Sequence, residues 1–215
     1  MDKVPILLAA ALGCSGEVAA RAAAIAVPRS LARGHAYARQ GEVCGCCWII
    51  VEGAASLRAY GEDGQLVQLA SYGPGELIGA FPQPRALPAT LTAESRSEVI
   101  EMNTRRLAQL AADLPGLGLG LAALLSAQQD ALLDRMANRM ILSAVGRVYA
   151  ELLALADDSG LIAPAPVLSA VALKVNTTRE TASRAVAAAE RRGLILRGPE
   201  GLRIASRARL EALLV

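Results

Sequence analysis

The side chains with the clearest chemical use lie in a short segment near the carboxyl end of the chain. Arg179, Glu180, Ser183 and Arg184 stand within six residues of one another. An arginine can donate two hydrogen bonds to the O6 and N7 atoms of guanine, and a glutamate can accept one from the cytosine amino group. On a helix, Glu180, Ser183 and Arg184 would share one face and Arg179 would lie at its edge. The spacing therefore favours a set that reads base edges, whereas a solvated helix with Arg/Glu pairs is the plainer alternative.

The surrounding residues predict two helices joined by a tight turn. The first helix is expected over residues 168–175, and Asn176 would occupy the turn because asparagine tolerates the left-handed conformation. Thr177 or Thr178 can cap the second helix, which Gly193 would end. This pattern is typical of a helix-turn-helix, in which the start of the second helix enters the major groove.

Further features of this region agree with a nucleic-acid partner. Hydroxyl and ammonium groups beside the turn could hold phosphates: Thr178, Thr181 and Lys174. Residues 194–197 and 202–205 flank a Gly-Pro-Glu-Gly turn, which predicts a two-stranded wing. Between residues 174 and 209 there are nine basic and three acidic side chains, although the whole chain carries only +2. Such an asymmetry suggests a part of the chain that meets phosphate.

The middle of the chain has the pattern of a β domain. Residues 30–103 alternate short β-rich runs with turn formers, which predicts a closed or rolled antiparallel sheet. An Asp63-Gly64 pair between two of the runs favours a hairpin turn. The predicted strands cover residues 47–51, 55–60, 66–71, 89–93 and 98–102.

Helices are predicted on both sides of this sheet. Residues 1–13 followed by Cys14 resemble a lipoprotein signal, but the pattern continues as helix, so we interpret residues 5–26 as cytoplasmic helices. A short helix is expected over 104–111 and another over 143–156. A helix over 117–142 would be roughly 39 Å long, more than a small domain needs. Its apolar positions recur by four and three, which favours a seam against an identical helix over a core helix.

Composition excludes several classes of protein. The chain has 215 residues with 53% hydrophobic side chains and one histidine, His35. A folded core is therefore expected, whereas a histidine triad or a histidine-rich metal site is not. No apolar run reaches 18 residues, so no membrane span is expected. We find no phosphate-binding loop, nucleophile elbow, zinc motif or acid/base pair, and we do not expect an enzyme.

Residues 178–184, Thr-Arg-Glu-Thr-Ala-Ser-Arg, resemble the recognition-helix motif of the CRP/FNR family of bacterial transcription regulators. Residues 39–42, 49–53 and 73–79 resemble parts of that family's roll. The resemblance implies an α+β chain with three parts. These are an N-terminal β-roll of the cupin-like jelly-roll type that resembles a cyclic-nucleotide-binding domain (1–115), a long dimerisation helix (116–142) and a C-terminal winged helix-turn-helix (143–215).

The resemblance also implies what the chain does. It implies a cytoplasmic homodimer that binds a palindromic site on double-stranded DNA and contacts RNA polymerase, with Glu180, Arg184 and Arg179 reading bases. Ser183 is typical of the FNR-like branch and Arg179 of the CRP-like branch. The half-site therefore stays open between TTGA-like and TGTGA-like sequences.

The resemblance places an effector pocket in the roll but disfavours cAMP as its ligand. The family uses a Gly-Glu pair on the ribose and a later arginine followed by a small residue on the cyclic phosphate. When Gly79 takes the glycine position, Ala80 stands where the glutamate belongs; a competing register over Gly75-Glu76 breaks the strand alignment. We expect a pocket that does not respond to cAMP in the usual way, with these lining residues: Gly79, Ala80, Arg85, Ala86, Gln128 and Leu132.

The cysteines leave one alternative open. Cys44, Cys46 and Cys47 do not have the cluster spacing of the FNR branch, so an iron–sulfur cluster is not expected, nor is His35 expected to ligate haem. Neighbouring cysteines on a strand point to opposite faces, which disfavours a shared metal. Buried thiols or a redox sensor remain. The alternative function is a small-molecule or redox sensing module of the same fold with little DNA-binding activity.

Overall fold

The computed structural model describes residues 3–61 and 66–214, and the chain divides into two compact units, residues 1–132 and 133–215. The first unit begins with two helices, α1 (Lys3–Leu12) and α2 (Gly16–Ala23). Gly13 separates them with a φ of 57°, and the Ser15 side chain accepts from the Val18 N–H to cap α2. Helices are therefore present in residues 5–26 as predicted, but the second ends at Ala23 because Ala26 already begins a strand.

Ten strands follow, and every strand pair among them is antiparallel. One sheet has the order β1-β10-β4-β7, a second has the order β2-β9-β5-β6, and β3 pairs with β8. The prediction of a rolled antiparallel sheet is confirmed. The strands are β1 (Ala26–Leu31), β2 (Ala36–Ala38), β3 (Val43–Cys44), β4 (Cys46–Glu52), β5 (Ala55–Tyr60), β6 (Leu66–Tyr72), β7 (Leu77–Gly79), β8 (Arg85–Ala86), β9 (Thr90–Ala93) and β10 (Ser97–Asn103).

All five predicted strands are present, whereas β1, β2, β3 and β8 are not individually apparent from the sequence. β1 contains Pro28 and is mostly exposed, which suits its place at the edge of a sheet because proline cannot donate to a ladder. The predicted turn at Asp63-Gly64 lies outside the described residues, although β5 and β6 on either side of it do pair.

The central strand β4 separates two cores. Cys47 and Ile49 pack with the helices, whereas Trp48 and Ile50 pack inside the roll. Alternate side chains of a strand point to opposite faces. β4 is therefore apolar along almost its whole length because it is covered on both faces.

Two helices complete the first unit. α3 (Thr104–Asp113) is capped by the Asn103 side chain, which accepts from the N–H groups of Arg105 and Arg106. α4 (Pro115–Ile141) has 27 residues and crosses the division between the units. Among the described residues, no single helix is long and apolar enough to cross a membrane. The pair α1 and α2 has sufficient combined length and apolar composition, but the two helices are bent by 118° relative to each other.

The second unit is a small helical domain with a three-stranded sheet of order β11-β13-β12. Its core contains Val148, Leu152, Val171, Val186 and Leu202. The predicted helix-turn-helix and wing are both present, whereas β11 and α8 are not apparent from the sequence. The elements are α5 (Ala144–Leu155), β11 (Leu161–Ile162), α6 (Leu168–Lys174), α7 (Arg179–Arg191), β12 (Ile195–Arg197), β13 (Leu202–Ile204) and α8 (Arg207–Glu211).

The close approach of α1 to α4 yields a testable prediction. A Cβ atom on Gly120 would collide with the carbonyl oxygen of Leu12, whereas one on Gly116 would lie 3.7 Å from Val18 Cγ2, an ordinary contact. We expect Gly120→Ala to lower the free energy of unfolding by about 1–3 kcal/mol, the range for overpacking. Gly116→Ala should be neutral or slightly stabilising because alanine favours helix. Urea unfolding of both variants measures this, and equal midpoints would contradict the α1–α4 contact.

Candidate nucleic-acid interface

The helix α7 presents one apolar face and one polar face. Its small apolar side chains are buried: Ala182, Ala185, Val186 and Ala189. Tyr149 on α5 donates its hydroxyl to the Ala185 carbonyl oxygen at 3.1 Å. The predicted base-reading residues lie on the other face and are all exposed: Arg179, Glu180, Ser183 and Arg184.

The start of α7 is determined by its cap. Thr178 has an extended backbone (φ −84°, ψ 154°), and its side chain accepts from the Thr181 N–H at 3.2 Å. The two hydroxyl groups of Thr178 and Thr181 lie 3.1 Å apart. Of the two threonines that the sequence offers as caps, Thr178 is therefore the one used. An N-cap of this kind contributes about 1 kcal/mol.

The turn before α7 has the predicted left-handed residue. Asn176 has a φ of 50° and is the non-glycine residue with a positive φ among those the structure describes. The Thr177 N–H then donates to the Ala172 carbonyl oxygen at 2.9 Å, which closes the end of α6. The chain can therefore reverse within four residues between α6 and α7.

Arg147 of α5 connects this turn to the segment between α4 and α5. No local pattern in the sequence indicates this role. Its Nε donates to the Val175 carbonyl oxygen at 2.9 Å and its Nη2 to that of Asn176 at 3.2 Å. Its Nη1 donates to the Leu142 carbonyl oxygen at 3.1 Å. One guanidinium thus donates hydrogen bonds to three carbonyl groups near the ends of helices, where such groups lack partners within the helix.

The four predicted side chains line one open depression on α7. The Nε of Arg184 donates to the Glu180 carbonyl oxygen at 3.4 Å, which keeps this guanidinium near the helix start. The pKa of Glu180 is lowered, first by its own backbone N–H, then by the Thr178 hydroxyl and the charges of Arg179 and Arg184. Glu180 is therefore an ionised hydrogen-bond acceptor between two guanidinium donors.

Lys174 is placed differently from the other predicted contact residues. It is the last residue of α6, and its Nζ donates to Glu151 Oε1 of α5 at 2.6 Å. The side chain of Lys174 is 35% exposed and that of Glu151 11%. The ammonium charge is therefore compensated inside the unit, unlike the exposed charges of α7.

The predicted effector residues of the roll lie on several elements. Gly79 ends β7 with a φ of 100°, and a Cβ atom there would lie 2.6 Å from the Cys46 carbonyl oxygen and 2.8 Å from the Trp48 ring. Ala80 is fully buried, and its carbonyl oxygen accepts from the Thr104 hydroxyl at 2.7 Å. Gly79 and Ala80 are therefore packed against other protein atoms.

The other effector candidates lie on β8 and α4. Arg85 and Ala86 are exposed and form β8, which pairs with β3. On α4, Leu132 is 38% exposed. Gln128 is engaged with the sheet: its Nε2 donates to the Leu77 carbonyl oxygen at 3.0 Å, and its Oε1 accepts from the Leu77 N–H at 3.3 Å. Since β7 is an edge strand, this amide takes the place of a neighbouring strand.

The thiols near β4 are poor candidates for redox chemistry. Burial, with the neighbouring thiols Cys46 and Cys44, raises the pKa of Cys47 to about 12. Burial also raises the pKa of Cys46 and of Cys14. Because the thiolate is the reactive form, such groups react slowly near neutral pH. Within residues 3–61 and 66–214, no three His, Cys, Asp or Glu side chains are grouped as metal ligands.

The helix α4 leaves large apolar side chains uncovered in both units. Leu125 and Leu132 are each 38% exposed in the first unit. In the second unit, Met136 is 49% exposed and Met140 85%. Exposed apolar side chains at helical spacing usually mark a surface that another protein element covers.

The contact between Gln128 and Leu77 leads to a prediction about stability. Gln128→Ala leaves the N–H and C=O of the buried Leu77 without their partner, which should cost about 1–3 kcal/mol. The exposed neighbour Gln129→Ala is the matched control and should be neutral. Thermal unfolding of both variants measures the difference. If Gln128→Ala unfolds like the control, the amide does not complete the sheet edge.

Comparison with known proteins agrees with this architecture. Residues 28–113 match the family model of the cyclic nucleotide-binding domain. No curated protein sequence matches the chain. Among solved structures, FixK2 from Bradyrhizobium japonicum is 20% identical, with 89% of this chain and 98% of that chain covered and a TM-score of 0.77.

Two further structures are similar. The c-di-GMP responsive global regulator CLP of Xanthomonas campestris is 20% identical over 89% of this chain and 100% of that chain, with a TM-score of 0.73. A CRP-family transcriptional regulator of Thermus thermophilus is 22% identical over 86% of this chain and 96% of that chain, with a TM-score of 0.70. Residues 28–113 therefore resemble a cyclic nucleotide-binding domain, and the chain has the fold of the CRP/FNR transcription regulators.

Proposed function

We propose that the protein is a transcription regulator of the CRP/FNR type that binds a palindromic DNA operator as a homodimer. The observation that supports this most is the exposed set Arg179, Glu180, Ser183 and Arg184 at the start of a capped helix. The apolar face of that helix is buried in the core of the second unit. The polar face is not covered in this way, so it is available to a ligand.

The chemistry of this set matches the major groove. Arg184 and Arg179 each have a planar donor group that can pair with guanine O6 and N7, and ionised Glu180 can accept from the cytosine amino group. The hydroxyls of Thr178 and Thr181 lie beside the helix start, where backbone N–H groups also favour phosphate. Lys174 is the weakest member because Glu151 already pairs with it.

The proposed dimer is supported by the exposed apolar side chains of α4. Leu125, Leu132, Met136 and Met140 recur at spacings of seven, four and four residues. This spacing is close to that of a coiled-coil seam. A twofold dimer presents two recognition helices to half-sites about one helical turn of DNA apart, which is the geometry of a palindromic operator.

The DNA-binding proposal predicts the effect of one substitution. Arg184→Ala should weaken binding to the preferred site by about 1–3 kcal/mol and relax the preference at one base pair. The measurement is a fluorescence-anisotropy titration on a duplex selected from random sequence, at two salt concentrations. Sedimentation of the same complex should give two chains per duplex.

The matched control is Arg105→Ala, which removes one exposed positive charge from α3 in the first unit. It should leave the preferred site and its affinity unchanged. If Arg184→Ala weakens binding to all sequences equally, the base-reading role is wrong. If no sequence is enriched in the selection, the alternative of a sensing module with little DNA-binding activity takes its place.

The roll is proposed to be a sensor domain that does not take cAMP in the usual way. Ala80 stands where the related domains place a ribose-binding glutamate, and its side chain is fully buried. The amide of Gln128 is occupied by Leu77. Ile78, Leu87 and Leu91 are also buried in the core of the roll. A ribose hydroxyl placed there would lose its hydrogen bonds to water without replacement.

Calorimetry tests this part of the proposal. Each unpaired ribose hydroxyl costs about 1–3 kcal/mol, so cAMP should show no binding at micromolar concentration. Ala80→Glu would supply the carboxylate, but position 80 is fully buried, so this change should destabilise the roll instead of creating a site. Micromolar binding of cAMP to the unmodified chain would contradict the proposal.

A further inference from the structure

A cavity in the second unit is lined by an unusual concentration of cations. It has a volume of about 160 Å³ and lies among the C-terminal part of α4, α5 and α6. We call it the arginine cavity, and its charged side chains are Arg135, Arg139, Arg147, Lys174 and Glu151. All of them belong to residues 133–215.

The cavity has the size of a small ligand. Sites for drug-sized molecules have volumes of roughly 300–1,000 Å³, and a single water needs about 10–15 Å³. A volume of about 160 Å³ lies between these limits. It fits a small ion, or one group of a larger molecule whose remainder stays outside.

The charges in the lining of the arginine cavity do not balance. Glu151 is the one carboxylate among the lining residues, and it is held by Lys174 at 2.6 Å. The lining therefore offers no further carboxylate to Arg135 or Arg147. The pKa of Arg139 is lowered, first by burial and then by the charges of Arg135 and Arg147. The positive groups thus repel one another across the cavity.

One donor in this cluster is buried and unpaired. The Nε of Arg135 has no hydrogen-bond partner among the described residues. A buried donor without a partner is costly, and like charges held close together in a partly buried place add a further cost. An anion with several oxygen atoms that enters the cavity offsets the repulsion and offers acceptors to the Arg135 guanidinium.

We propose that the arginine cavity is an anion site that binds a phosphate group between Arg135 and Arg147. Guanidinium groups bind phosphate through two parallel hydrogen bonds, and two of them match its charge better than that of a single carboxylate. The ligand is inorganic phosphate or the phosphate end of a small phosphorylated metabolite.

The position of Arg147 makes this site a regulatory one. Its guanidinium already holds the Leu142, Val175 and Asn176 carbonyl groups, and it has five N–H groups in all. The two remaining N–H groups can reach an anion while the turn before α7 stays held. A bound phosphate group therefore stiffens the turn that places the recognition helix. This consequence rests on the proposed DNA-binding function, whereas anion binding itself does not.

Binding of simple anions tests the site directly. Titrations of the full-length chain with inorganic phosphate, pyrophosphate and AMP, at constant ionic strength set with chloride, should show saturable binding and a raised Tm. Equal affinity for phosphate and AMP would assign free phosphate as the ligand, and tighter binding of AMP or pyrophosphate would assign a phosphorylated metabolite.

Two variants locate the site. Arg135→Gln should weaken anion binding at least tenfold and leave the ligand-free Tm unchanged or raised, because it removes one of the repelling charges. The exposed Arg191→Gln on α7 is the control and should bind the anion like the unmodified chain. Equal binding by Arg135→Gln and the unmodified chain would overturn the proposal.

The remaining outcomes separate this inference from the proposed function. If no small anion binds but Arg135→Gln weakens DNA binding, these guanidiniums contact the DNA backbone and the proposal is wrong. If no anion binds and Arg135→Gln changes the monomer–dimer equilibrium, carboxylates of a second copy fill the cavity and the proposal is also wrong. Anion binding without any DNA binding would uphold the site and refute the regulator.

Discussion

The position of helix α7 depends on one short turn, and that turn depends on a guanidinium. Asn176 supplies the left-handed residue, and Thr178 supplies the cap that starts the helix. Arg147 joins the Val175 and Asn176 carbonyl groups at the start of this turn to the Leu142 carbonyl group in the segment that leads into α5. Without this set of hydrogen bonds, Arg179, Glu180 and Arg184 would still be exposed, but they would have no defined direction.

The roll depends on a different constraint, which is the double burial of β4. One face of this strand packs under α1 and α4, and the other fills the roll around Trp48 and Ile50. The ring of Tyr37 stands 5.2 Å from that of Trp48, edge on, and Gly79 leaves room for the Trp48 ring. The region of the predicted effector pocket is therefore stabilised mainly by side-chain packing. A polar ligand that entered it would have to displace apolar contacts.

The polar face of α7 and the arginine cavity differ in their physical properties. The polar face of α7 is open, so its side chains can form hydrogen bonds with a partner. The arginine cavity is partly enclosed, and an anion would reduce the repulsion between its positive charges. Arg147 and Lys174 line the cavity and also lie beside the turn that leads into α7. An anion and an operator would therefore act on the same few hydrogen bonds.

Local signals in the sequence predict the elements that have strong periodicity or capping chemistry. The helix-turn-helix, its wing and the five most apolar strands are of this kind, because Asn, Thr, Gly and alternating apolar residues act within a few positions of the chain. β1 and β8 are mostly exposed, so no alternation signals them. The Gln128–Leu77 contact joins positions 51 residues apart, and no local pattern can reveal it.

By itself, the sequence determined which charged and polar side chains share the exposed face of α7, since that follows from their spacing and the helix period. Only the tertiary structure decided which of the predicted site residues are buried or already bonded to other parts of the protein. Ala80 is buried, Gln128 completes a sheet edge, and Lys174 is paired with Glu151. The fold also brings together, in one cavity, three arginines that the sequence does not single out: Arg135, Arg139 and Arg147. The reason is physical: a helix period acts over neighbouring turns, whereas burial and charge compensation depend on residues that only the fold brings into contact.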